Sequence, residues 1–174
     1  MQMIAVTLAA GCLLVIAWQD FVARRVWGIA IGLLAAAGAL YMLAGVHSAA
    51  RLLVYAGCNI GFLIVQFGLL KAYFLVKRRG AGVIDQMIGW GDILFLLAAA
   101  FFFSPVNFIS FYVFSLLASL VVSLVWMTVR PSVSRAIPLA GLQALVLLVV
   151  IGAGLCLHFP LVNDNWFIGK FLPS

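Results

Sequence analysis

The sequence holds no glutamate and only four acids, Asp20, Asp85, Asp92 and Asp164, against ten Lys and Arg. Charged residues make up 8% of its 174 positions, where soluble domains carry about 25%. That scarcity excludes a sizeable water-soluble domain. Cysteine is scarce too. Cys12, Cys58 and Cys156 are odd in number, lie inside apolar runs and form no CxxC pair, which argues against a disulfide scaffold and a zinc knot. No Lys or Arg precedes Arg24, so the positive leader of a secretory signal is missing. We therefore expect the first apolar stretch to be a retained span and residues 1–174 to form a single transmembrane domain.

What the chain has in excess is hydrocarbon: 67% hydrophobic residues and a mean hydropathy of +1.29. Its apolar runs are continuous rather than alternating, so helical spans are expected. A span needs roughly 20 residues, and six fit, at about 3–18, 26–46, 52–76, 92–103, 108–129 and 137–157. The fourth is short. The second and third carry Gly28-x-x-x-Gly32 and Gly57-x-x-x-Gly61, close-packing motifs of membrane helices. Asn59 and Gln66 lie inside the third. Ser115, Ser119 and Ser123 form a small-residue stripe on the fifth, read as helix packing rather than as nucleophiles. Arg24, Arg25, Lys77, Arg78, Arg79, Arg130 and Arg135 fall in the first, third and fifth loops, and only Arg51 and Lys170 on the other side. Basic residues in short loops mark the cytoplasmic side. The fold expected is an all-α polytopic membrane protein of about six transmembrane helices with both termini extracytoplasmic. The net charge of +6 belongs to those loops and points to no nucleic-acid partner.

This topology brings two acids to one side. Asp20 ends the first apolar run. Asp92 opens the fourth, within Gly89-Trp90-Gly91-Asp92. A charge in or near hydrocarbon costs about 2.5–3.5 kcal/mol or more. Gly89 and Gly91, lacking Cβ, allow unusual dihedrals and close approach by another backbone. The plain alternatives are that Asp92 is an N-cap and that Asp20 pairs with Arg24 one helical turn on. Taken together, the two acids suggest an aspartic protease pair: close carboxylates share one proton, the ionised one activates water and the protonated one polarises the scissile carbonyl. His47 and His158 fall on the opposite side, so no Ser-His, Cys-His or zinc arrangement reaches these acids. Asp85 reads as a solvated loop residue, and Asp164 lies on the far side.

These residues resemble the motifs of the prepilin peptidases (type IV leader peptidases), which belong with the archaeal preflagellin peptidases to the GxGD aspartic proteases. Asp20 followed by Arg24-Arg25-Val26-Trp27-Gly28 resembles the first motif of that family. Gly89-Trp90-Gly91-Asp92-Ile93-Leu94 resembles the second, and Ile137-Pro138-Leu139-Ala140 the start of the last family helix. Trp27-Gly28 stands where Pro-Asn is usual, and Leu94 where Lys is usual. The two CxxC pairs of longer bacterial members have no counterpart, so the resemblance is to the short, peptidase-only form. It implies Asp20 and Asp92 as catalytic acids, Gly89 and Gly91 as the motif backbone, and no cofactor or metal. The implied substrate is a single-span prepilin-like precursor with a short basic leader, cut at the cytoplasmic face of the inner (plasma) membrane.

Two other readings remain at this point: a proton- or cation-coupled small transporter using Asp20 and Asp92, and a catalytically inactive assembly relative. The orientation is testable on its own. In a background with the native cysteines replaced, a cysteine at Asn165 should label from outside intact cells and one at Ser132 should not. The reverse pattern would put both acids on the wrong side.

Overall fold

The apolar runs become helices in the structure, a computed structural model that describes residues 1–23, 26–76, 89–129, 139–157 and 159–164. In chain order these are α1 (Gln2–Ala23), α2 (Gly28–Val46), α3 (Ala49–Val76), α4 (Trp90–Ala99), α5 (Pro105–Val129) and α6 (Leu139–Cys156). The described residues contain no strand. All but α4 are long and apolar enough to cross a membrane. Large apolar side chains such as Leu53, Ile64, Val65, Leu69, Phe114, Val121 and Val149 are exposed, as a bilayer-facing surface requires. The multi-pass, all-helical architecture expected from the sequence is present.

Packing follows a closed circuit. Helix α1 contacts α2, α2 contacts α3, α3 contacts α5, α5 contacts α6, and α6 returns to α1. The short α4 packs against α2 and α6. Its second half is buried, with Phe95, Leu96, Ala98 and Ala99 all hidden. At ten residues, α4 covers about 15 Å, half the hydrocarbon thickness. The chain then leaves the helical path from Ala100 to Phe103. Backbone released there has no water to turn to. Asn59 of α3, itself buried, supplies the missing donor: its Nδ2 gives hydrogen bonds to Ala100 O (2.8 Å) and Phe103 O (2.9 Å). Gly38 of α2 makes room for this break, since a Cβ there would sit 2.6 Å from Cε2 of Phe102.

A second polar cluster closes the same end. Ser104 N–H donates to Leu161 O (3.1 Å), and Ser104 Oγ donates to Asp164 Oδ1 (2.5 Å). Asn107 Nδ2 lies 2.9 Å from Leu161 O. Leu161 and Val162 are buried, so the segment after α6 folds back onto the bundle. Asp164 therefore serves this latch, at the end opposite Asp20 and Asp92.

The glycine motifs differ from the expectation. A Cβ at Gly28, Gly32, Gly57 or Gly61 would meet nothing within 4 Å, so neither GxxxG pair seats a helix of this chain. The glycines under steric demand are Gly38, Gly89, Gly141 and Gly154, which no GxxxG pattern marks. Gln66 is exposed rather than interior, whereas the serine stripe is buried as expected. The substitution Asn59→Leu, which orphans two buried carbonyls, should cost about 2–4 kcal/mol. Thermal unfolding in detergent would show it as a clear drop in Tm, while Gly57→Ala, on the same helix, should cause none.

Candidate active site

Asp20 lies in the last turn of α1 and is buried, 8% exposed. An anion at a helix C-terminus faces the wrong end of that helix's dipole. The neighbouring Gln19 is buried as well, and its Oε1 accepts a hydrogen bond from the Trp27 N–H (3.0 Å). Because Trp27 is the N-cap residue of α2, this bond ties the end of α1 to the start of α2. The compensation for Asp20 comes from elsewhere. Its Oδ2 accepts a hydrogen bond of 2.6 Å from the backbone N–H of Gly141, the third residue of α6. The first four N–H groups of a helix have no partner within it, and they carry the positive end of its dipole. The amino end of α6 thus supplies what the carboxyl end of α1 withholds.

Gly141 is what allows the approach. A Cβ there would lie 3.1 Å from Asp20 Oδ2, 3.2 Å from Asp20 Cβ and 3.3 Å from Phe21 Cε2. Every one of those contacts is tighter than a side chain normally accepts, so only hydrogen fits without moving α1.

Asp92 reaches the same place from α4. It is the third residue of that helix, whose N-cap is Gly89 in an extended conformation (φ −66°, ψ 136°). The N-cap reading of Asp92 is therefore corrected by two to three residues. The carboxylate folds back over the cap, the acidic half of a capping box, and a Cβ at Gly89 would lie 3.2 Å from Asp92 Oδ2. The backbone N–H groups of Gly89 and Ala140 face this carboxylate, and the Asp20 charge lies close enough to act on it. Two acids from separate helices thus meet successive N–H groups, of Ala140 and Gly141, at one helix terminus.

The motif residues fare differently. Asp20, Asp92 and Gly89 come together, whereas a Cβ at Gly91 would lie 3.7 Å from Val26 Cγ2, an ordinary contact distance, so a methyl group fits there. Leu94, two residues beyond Asp92, is 42% exposed. Arg24, Arg25 and Asp85 lie outside the described residues. Among the described residues, no group of three His, Cys, Asp or Glu side chains gathers as a metal site would need. Two participants escape motif reasoning. Gly141 carries no signal beyond following the Ile137-Pro138 helix start. Gln143 is a lone carboxamide in an apolar helix, fully buried, and neither of its polar atoms has a hydrogen-bond partner among the described residues. Comparison of the chain with family models, with curated proteins and with solved structures returns no match.

The glycine contacts make a paired prediction. In a helix, Gly→Ala normally gains up to about 1 kcal/mol. Gly91→Ala should show that gain or no change in thermal unfolding, whereas Gly141→Ala should lower Tm because it drives α1 from α6. Equal behaviour of the two variants would mean that Asp20 is not held at Gly141.

Proposed function

We propose that the chain is a membrane aspartic endopeptidase of the prepilin-peptidase type, with Asp20 and Asp92 as its catalytic acids. Its substrates are single-span precursors whose short basic leader is removed at the cytoplasmic face of the plasma membrane. The observation that carries this reading is the meeting of two carboxylates, from α1 and α4, at the amino end of α6. A structural role would need one acid to neutralise one helix terminus. Two acids side by side repel, and proteins keep such pairs where the chemistry uses them.

The chemistry follows from sharing one proton between the pair. The ionised carboxylate takes a proton from a water molecule, whose oxygen attacks the carbonyl carbon of the scissile bond. The protonated acid gives its proton to the carbonyl oxygen as that bond becomes single. Collapse of the tetrahedral intermediate breaks the C–N bond: the departing amine takes its proton from the carboxyl group that had collected one from water, and a hydroxyl of the intermediate returns a proton to the other acid as the carbonyl re-forms, which restores the shared proton. The Ala140 and Gly141 N–H groups hold both carboxylates in position throughout without being consumed, which is the preorganisation such a step rewards.

Orientation and substrate rest on the basic-loop asymmetry and on the motif resemblance. Anionic headgroups, rather than the protein's own basic loops, are the natural anchor for a basic leader. Asparagine keeps the shape and an acceptor oxygen of each acid but cannot share a proton. Asp20→Asn and Asp92→Asn should therefore each slow cleavage of a co-expressed single-span substrate by roughly 10²–10⁴-fold at matched membrane levels. The double variant should be little worse than either single one, because the acids act as a unit. Robust cleavage by either single variant would remove that residue from the mechanism, and a transporter would show ion flux in place of cleavage.

A further inference from the structure

Gln143 sits one helical turn into α6, three residues after Ala140 and two after Gly141. It is completely buried, and both Oε1 and Nε2 lack a hydrogen-bond partner among the described residues. Ser119 Oγ is also buried without a partner, but a hydroxyl in such a position can turn to a carbonyl of its own helix, as Ser115 Oγ does with Tyr112 O (3.0 Å). A carboxamide presents two donors and an acceptor in a fixed plane and has no comparable escape. Buried polar groups without partners are rare, and each calls for a ligand or a function.

Position supplies the direction. Residues i and i+3 share a helix face, so Gln143 lies below Ala140, whose N–H faces Asp92. Helical side chains tilt toward the amino terminus. The axial distance to make up is about 4.5 Å, which a glutamine side chain covers. A carboxamide at position 143 can therefore reach the level of the two acids.

We infer that Gln143 is a substrate-binding residue of this site, its carboxamide pairing with the N–H and C=O of a peptide group next to the scissile bond. This rests on the peptidase reading. A bond can be cut only where the substrate helix is unwound, since a helix hides its carbonyls in its own hydrogen bonds. Unwinding leaves peptide N–H and C=O groups bare in an apolar surrounding, where they must find partners. A carboxamide carries the complementary acceptor and donor side by side, so one Gln143 side chain answers both groups of a peptide unit.

The test uses the full chain in phosphatidylethanolamine–phosphatidylglycerol vesicles. The probe is a synthetic single-span peptide with a lysine-rich leader and Gly before the scissile bond. Wild type, Asp92→Asn, Gln143→Leu and Gln143→Met are compared for cleavage kinetics and for thermal unfolding. Removing two orphaned polar atoms should leave both Gln143 variants at least as stable as wild type. Their KM should nevertheless rise about tenfold, the worth of one to two lost hydrogen bonds, with kcat within about threefold. If KM stays at the wild-type value, or if both variants lose stability and cleavage together, Gln143 is a packing residue and the inference fails alone. If wild type does not cut the peptide, or Asp92→Asn cuts it as well as wild type does, the peptidase reading fails and the inference falls with it.

Discussion

The amino end of α6 is the point on which the site depends. A carboxylate near hydrocarbon costs about 2.5–3.5 kcal/mol. A hydrogen bond to a charged group returns about 1.5–3 kcal/mol, and a helix N-terminus returns up to about 2 kcal/mol in a partly buried setting. One helix terminus can therefore offset one buried carboxylate comfortably and two only if the pair holds a proton. That arithmetic ties the geometry of α1, α4 and α6 to the protonation state of the pair. It also explains why a glycine is needed at position 141. The offset requires the 2.6 Å bond from Gly141 to Asp20, and a methyl group would intrude on that approach.

The same rule, that no polar group goes unanswered in an apolar interior, builds the opposite end. Helix α4 can stop halfway because Asn59 takes up the carbonyls of Ala100 and Phe103. The chain after α6 is held by Ser104 and Asn107 reaching the Leu161 carbonyl, with Asp164 as the acceptor of the Ser104 hydroxyl. Of the acids in the described residues, one closes the bundle and two meet at the amino end of α6. Among the described residues Gln143 and Ser119 break the rule. Ser119 leaves one hydroxyl unpaired in the packing stripe of α5, whereas Gln143 leaves both ends of a carboxamide unpaired, one helical turn from the N–H groups that receive the acids.

Much of this was legible in the residues, for a physical reason. Continuous apolar runs admit little besides helices in a bilayer, so the six elements and the short fourth one follow from hydropathy. Asp20 and Asp92 stand out because hydrocarbon makes acids conspicuous. What could not be read was which helix would receive them. Backbone N–H groups are present at every helix start and leave no mark in a sequence, so Ile137-Pro138-Leu139-Ala140 suggests a helix start without saying that Ala140 and Gly141 receive the acids. The GxxxG pairs misled for the converse reason. Two glycines one turn apart advertise a groove but do not say what fills it, and at Gly28, Gly32, Gly57 and Gly61 none of the described residues does. Close approach occurs instead at single glycines, Gly38 and Gly141, whose need depends on contacts more than 60 residues away in sequence.

Element lengths carry one consequence further. From Ser104 back to Asp92, seven helical steps and five extended ones reach at most about 28 Å. Helix α5 starts beside Ser104 and runs 25 residues, about 37 Å. Measured along its axis, that helix outruns the acids by about 9 Å. The pair therefore lies short of the far end of α5. On the peptidase reading proposed above, a substrate helix running along α5 presents only satisfied carbonyls, and to reach the acids its chain would have to bend inward over the amino end of α6. Bending there means unwinding there, so that reading makes unwinding a condition of contact with Asp20 and Asp92.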